Sequence, residues 1–342
     1  MTLAAWALTG RAAGPPLLPP DGIVERVIGL GAAIEIDPIP FLAERAAEAG
    51  FTRSGTTTCG GAGRLLQAAD GWVAVNLARD DDAASIAAWL EVDLADGQPW
   101  TIVESVVSTV PAATLVERAE LLGLPFSSLG EVAPPAEPVR AISLGDAPAL
   151  GRPPVIVDLS SLWAGPLCTR LLADRGADVI EVESPARPDG ARQDPRAFFE
   201  RLHAGKRLLS LDLHGPELRE LLMRCDVVVE ASRPRALRQL GICPEEVSPR
   251  VWLSITGYGR DSNRVAFGDD AAVAGGLVAR DDDGPCFVAD AVADPLTGVA
   301  SAAAVVAALE RGGRWLLDAS MAGVAAFVAG ADAGRRWMPV GR

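Results

Sequence analysis

VIVDLSSLWAGPLCTRLLADRGADVIEVE, residues 155–183, sets the architecture of this chain. Its two ends are short apolar runs rich in Val and Ile, the composition of strands buried on both faces, and PLCTRLLADRG between them has helical spacing. Strand, helix and strand over so few residues imply a right-handed crossover joining two parallel strands. The alternation continues through LLSLDL (208–213), PELRELLMRC (216–225), DVVVEA (226–231), a basic helix and VWLSITG (251–257). This pattern predicts an α/β domain over 151–342, built on a doubly wound, mainly parallel, Rossmann-like sheet. Ligands in such sheets sit at the carboxyl ends of the strands, so a site is expected in the loops after Leu159, Glu183, Glu230 and Gly257.

Upstream, residues 1–145 predict a second, smaller α+β domain. Helical stretches fall at 23–32, 41–49 and 112–122, the last closed by Gly123, and a strand falls in GWVAVNL (71–77). The glycine-rich CGGAG (59–63) reads as a loop. Between the two parts, APPAEP (133–138) and DAPALGRPP (146–154) predict a linker, because proline-rich sequence without periodicity sustains neither helix nor strand.

The composition narrows the possible partners. With 342 residues, 49% hydrophobic, the chain can bury two ordinary cores. A formal charge of −14 offers no basic stripe for a polyanion, so nucleic acid is not an expected partner. No apolar run approaches the roughly 20 residues that span a bilayer, and the N-terminus lacks the pattern of a secretory signal. No membrane association and a cytoplasmic location are therefore expected. Five scattered cysteines without a C-x-x-C and only two histidines, His203 and His214, suggest neither disulfides nor a metal site.

The spaced motifs DLSSLWAGP, LLADRGADVIEVESP, HAGKRLLSLDL, DVVVEASRPRALRQLGI, WLSITGYG, VADPLTG and GRWLLDASMAGVAA run in order through residues 155–329. In that order they resemble the coenzyme-A-binding half of the family III CoA-transferases, which includes formyl-CoA transferase, carnitine CoA-transferase and α-methylacyl-CoA racemase. CGGAGRLLQAADGWVAVNL (59–77) and LVERAELLGLPFSSLGEV (115–132) also resemble that family, namely its small domain with its glycine loop. In typical members these segments follow the coenzyme-A half; here they precede it, as in a permuted chain.

The resemblance implies a site. Asp294 matches the aspartate that attacks the acyl thioester, passing through a mixed anhydride and then an aspartyl-CoA thioester. A carboxylate suits such covalent catalysis. Taken without the family, Asp294 followed by Pro295 and an apolar run is equally what a helix N-cap with proline at N1 looks like. Leu162, Trp163, Ala164 and Gly165 fall in the first strand-to-helix loop, where backbone N–H groups can meet a ligand; tight packing explains such a loop equally well. Lys206 and Arg207 match the family's KR pair near the adenosine, and Ala231 and Ser232 stand where many relatives carry Asn-Phe. Arg233, Arg235 and Arg238 form the best local cluster for phosphate, though a solvated helix face accounts for at least one of them. Gly60, Gly61 and Gly63 match a glycine loop that closes over the intermediate, and an ordinary connector has the same composition.

The activity implied is transfer of coenzyme A between an acyl-CoA and a carboxylic acid, with the thioester as substrate, no permanently bound cofactor, and a homodimer as in the relatives. An acyl-CoA racemase or isomerase is the alternative within the family. The racemase's histidine is missing, since the chain reads Gly268-Asp269-Asp270 at that point. A degenerate coenzyme-A-binding subunit without activity of its own is the alternative outside catalysis.

Overall fold

The computed structural model describes residues 5–92, 99–232 and 234–340. Before residue 150 the elements that matter are helices α1 (Asp21–Ala32) and α2 (Glu44–Ala49), strands β1 (Gly63–Gln67) and β2 (Trp72–Asn76), helix α3 (Ala112–Leu122), and strands β3 (Phe126–Ser128) and β4 (Arg140–Gly145). There follow β5 (Val155–Leu159), α4 (Ala164–Ala173), β6 (Asp178–Glu183), α5 (Arg196–His203), β7 (Arg207–Ser210), α6 (Pro216–Leu222), β8 (Val227–Glu230), α7 (Pro234–Gln239) and β9 (Val251–Thr256). The chain then runs through α8 (Gly268–Ala274), α9 (Ala293–Arg311), β10 (Arg314–Ser320) and α10 (Met321–Ala329).

Seven strands form one sheet in the order β4-β10-β9-β8-β5-β6-β7, parallel throughout except for the edge strand β4. Counted from β5, the six parallel strands lie in the order 3-2-1-4-5-6, the doubly wound arrangement expected from the sequence. The direction of travel reverses between β5 and β8. Ile156, Val227, Val229, Val251, Leu253 and Ile255 enter the core on one face of the sheet, and Val157, Val228 and Trp252 that on the other. Each such side chain contributes about 1.5–3 kcal/mol on burial, so the central strands are the firmest part of the molecule.

A second sheet, β1-β2-β3, is antiparallel. Leu66, Val73, Val75 and Phe126 on one face pack with Trp89, Val103 and Leu115 from the surrounding helices. On the other face Leu65 and Ala74 meet Val273, Val278 and Phe287 of the large half. Residues 5–45 do not join this small unit, contrary to the expectation of one smaller domain over 1–145. Trp6, Ile23, Val27, Leu30 and Leu42 lie in the main core, and Arg26 donates to the Val328 and Ala329 carbonyls at 2.6 and 2.8 Å.

Two sequence expectations change here. The stretch 133–154 is not only a linker, because β4 within it pairs antiparallel with β10. As an exposed edge strand between prolines, RAISLG shows little of the apolar patterning that marks an inner strand. Apolar runs do reach spanning length, too: α9 has 19 residues and is apolar enough to cross a membrane by length and composition. It is nevertheless a core helix, its Leu296, Val299, Ala302 and Val305 buried in the main cluster.

Candidate active site

At the end of β5, Asp158 accepts from the Ser160 N–H at 2.9 Å, from the Ser160 and Thr169 hydroxyls, and from the Lys206 ammonium at 3.5 Å. These bonds turn the chain so sharply that Leu162 adopts φ 68°, a left-handed conformation costing a non-glycine residue of order 1–3 kcal/mol. Its N–H donates to Asp189 at 2.9 Å, and Gly165 lies so close to Ser160 that a Cβ there would collide. α4 starts immediately afterwards, with the Ala164 amide unclaimed by any side-chain cap at Trp163.

That amide faces Asp294. α9 begins at Ala293 with Val292 as N-cap, so Asp294 lies inside the first turn and does not cap its own helix. Its carboxyl faces instead the backbone amides of Gly268 and Ala164, the first residues of α8 and α4. Three helix N-termini thus converge on one carboxyl, each with the positive end of its dipole. Glycines allow the approach: a Cβ on Gly268 would strike the Asp294 carboxyl and the Ala291 carbonyl. One on Gly298, a turn further along α9, would stand 2.8 Å from the Ala164 carbonyl oxygen. Burial pushes the Asp294 pKa up to about 7; Arg45 opposes this, Asp290 adds to it, and the two amides oppose it.

The surroundings bring in further residues. Asp290, 1% exposed, accepts from Arg45 of α2 through both oxygens, at 2.8 Å from Nε and 2.5 Å from Nη2. Arg45 also lies 3.8 Å from Asp194 and 4.9 Å above the Trp163 ring. The Cys59 thiol donates to Asp290 at 3.2 Å, and burial followed by that negative charge keeps the thiol protonated. Asp269 accepts from the Ala291 N–H at 3.0 Å, and burial, then Asp290, raises its pKa to about 7. Ala289 and Ala291, on either side of Asp290, have φ 51° and 43°. Left-handed non-glycine residues persist where the surroundings force them, and such strain concentrates at functional sites.

Gly60 and Gly61 directly follow Cys59, the residue that touches Asp290, and Gly63 opens β1. The KR pair is divided. Lys206 is turned inward, its side chain 0% exposed, on Glu181 at 2.9 Å and on Asp158, whereas Arg207 binds Asp178 at the surface. Ala231 and Ser232 follow β8, where the Ser232 N–H donates to Glu230 at 2.8 Å. Arg233 lies outside the described residues, and the side chain of Arg235 does as well; Arg238 is exposed on α7. His203 is bonded to Glu181 at 2.8 Å and His214 lies on the loop before α6, so neither imidazole serves Asp294. Glu181, Asp189 and His203 hold donor atoms within 4.8 Å of one another, but the Lys206 ammonium already supplies a counter-charge there. A cavity of about 530 Å³ near His214, Arg219 and Gln239, and one of about 130 Å³ near Glu183, Arg192 and Phe199, are not lined by Asp294.

A carboxylate at the meeting of three helix N-termini, beside the switch point of a 3-2-1-4-5-6 sheet, makes this an α/β protein with a candidate site centred on a carboxylate. The chain belongs to CoA-transferase family III, whose family model matches residues 154–338. It is 32% identical over 181 residues to a succinate–glutarate CoA-transferase of Agrobacterium fabrum, covering 45% of this chain and 45% of that protein. It is 35% identical over 174 residues to a formyl-CoA:oxalate CoA-transferase of Rhodopseudomonas palustris, covering 45% of this chain and 41% of the relative. The chain spans less than half the length of these curated relatives. A CAIB/BAIF family protein from Brucella suis superposes with a TM-score of 0.48 at 28% identity, over 55% of this chain and 56% of the other.

Proposed function

We propose that this protein transfers coenzyme A between an acyl-CoA and a carboxylic acid, with Asp294 as the covalent nucleophile. The observation that carries the reading is the placement of the Asp294 carboxyl against the Gly268 and Ala164 amides. In the ionised form an Asp294 oxygen attacks the thioester carbonyl, the C–S bond breaks and coenzyme A leaves as thiolate, giving a mixed anhydride. The thiolate then attacks the aspartyl carbonyl and releases the acyl group as its carboxylate, leaving an aspartyl-CoA thioester. An acceptor carboxylate reverses the two steps, forming its own thioester and regenerating Asp294. The amides and helix dipoles stabilise negative charge on oxygen without reorganising during the reaction. Relatives named for succinate, glutarate and oxalate support a carboxylate acceptor. The coenzyme's phosphates are assigned to Arg233 and Arg235, and the 162–165 loop to the thioester end.

Mass spectrometry of the protein after incubation with an acyl-CoA tests this reading. A covalent adduct on the peptide containing Asp294, absent from Asp294→Asn, is expected. Exchange of the α-hydrogen with solvent deuterium without an adduct would make the protein a racemase, and binding alone a subunit without activity.

A further inference from the structure

We propose that Arg45 and Asp290 are positioning residues for Asp294, a charge pair that reaches across from the N-terminal segment to set the charge state of the attacking carboxyl. This rests on the reading of Asp294 as nucleophile. The residues that the family match spans, 154–338, include Asp290 and Asp294 but not Arg45. Arg45 comes from a helix 245 residues earlier and contributes the guanidinium that this carboxylate cluster contains.

The geometry is specific. Arg45 presents its fork to both oxygens of Asp290 and rests its flat face on Trp163, the residue before Ala164, so one side chain touches both walls of the site. Planar, two-pronged pairing of this kind fixes orientation as well as charge. Asp290 is kept in place at the cost of two left-handed alanines, which a merely space-filling side chain does not require. Loop 287–291 is further tied to the N-terminal segment, with the Phe287 N–H on the Gly55 carbonyl at 2.9 Å and the Ala289 N–H on the Thr9 hydroxyl at 3.1 Å. The charged groups facing Asp294 are therefore Arg45 from α2, Asp290 from its own approach loop and Asp269 from the first turn of α8. Cys59 and Asp194 bear on the first two. Arg45 eases ionisation of Asp294 and Asp290 resists it, so the pair holds the two effects in balance.

Opposite single changes test this. In protein carrying carbon-13-labelled aspartate, the Asp294 carboxyl resonance is assigned by its loss in Asp294→Asn, and its titration is followed by NMR in the parent, Arg45→Met and Asp290→Asn. The midpoint should rise by about one pH unit in Arg45→Met and fall by about one in Asp290→Asn, and Arg45→Lys should keep it near the parent's. The acidic limb of the kcat profile should move the same way. Midpoints unmoved, or moved in the same direction by both changes, would overturn the proposal. Should Arg45→Met not fold, the nearly isosteric Asp290→Asn decides alone, since only a fall in midpoint supports the pair. A parent without transfer activity would instead sink the functional reading, while the titration would still decide whether the pair acts on Asp294.

Discussion

Asp294 titrates in a way that separates its cost to the fold from its use. Its folded pKa, about 7, lies above the ordinary 3.8, so the folded protein holds that proton more tightly than the unfolded chain does. The resulting stabilisation is present in full below about pH 4 and is lost as pH rises through 7. Asp294→Asn removes the titration while keeping size and shape. The variant should be more stable than the parent at pH 8, on the order of 1–3 kcal/mol in urea unfolding, with the difference closing toward pH 4. Equal stability at both pH values would mean that the carboxyl is not held in this environment. Asp294 was legible in the sequence because a motif surrounds it. Arg45 was not: ERAAEAG reads as a surface helix, and nothing local ties it to Asp290.

Helix contacts place the Ala164 amide, and Gly298 sets how closely α9 and α4 approach. Gly298→Ala puts a methyl group against the Ala164 carbonyl and the Leu167 side chain, so α4 must retreat. We expect a loss of about 1–3 kcal/mol together with a lower yield of the Asp294 adduct. The same substitution at Gly29, exposed on the outer side of α1 where a Cβ meets nothing within 4 Å, should instead stabilise by about 0.4–1 kcal/mol. Thermal unfolding of the two variants reads both signs, and a neutral Gly298→Ala would disprove the close approach. Most inner strands were visible in the sequence, since VIVDL, DVVVEA and VWLSITG are buried on both faces and must be apolar throughout, whereas β10, only half-buried over its first three residues, was not read as a strand. β4 escaped because an edge strand has no such requirement. α9 starts two residues earlier than the Asp-Pro pair suggested, and that shift turns Asp294 from a cap into a group aimed at two other helices.

Seen whole, the molecule has an edge that invites association. All four residues of β7 are exposed, Leu208 by 50% and Leu209 by 39%, on the outermost strand of the large sheet. Bare apolar sheet edges are pairing surfaces, and we expect a homodimer. Light scattering of dilute protein should give about twice 35.5 kDa, and a value at 35.5 kDa would rule the dimer out. The sequence anticipated two halves, and the structure interleaves them: residues before 50 enter the main core, and α2 supplies Arg45. That clasp links chemistry to biogenesis. A newly made chain whose parallel sheet had closed before its first 60 residues docked would carry Asp294 without its guanidinium or its glycine loop. Its carboxyl would face water without the burial that raises its pKa, and the charge balance around it would be set only once the N-terminal segment docks.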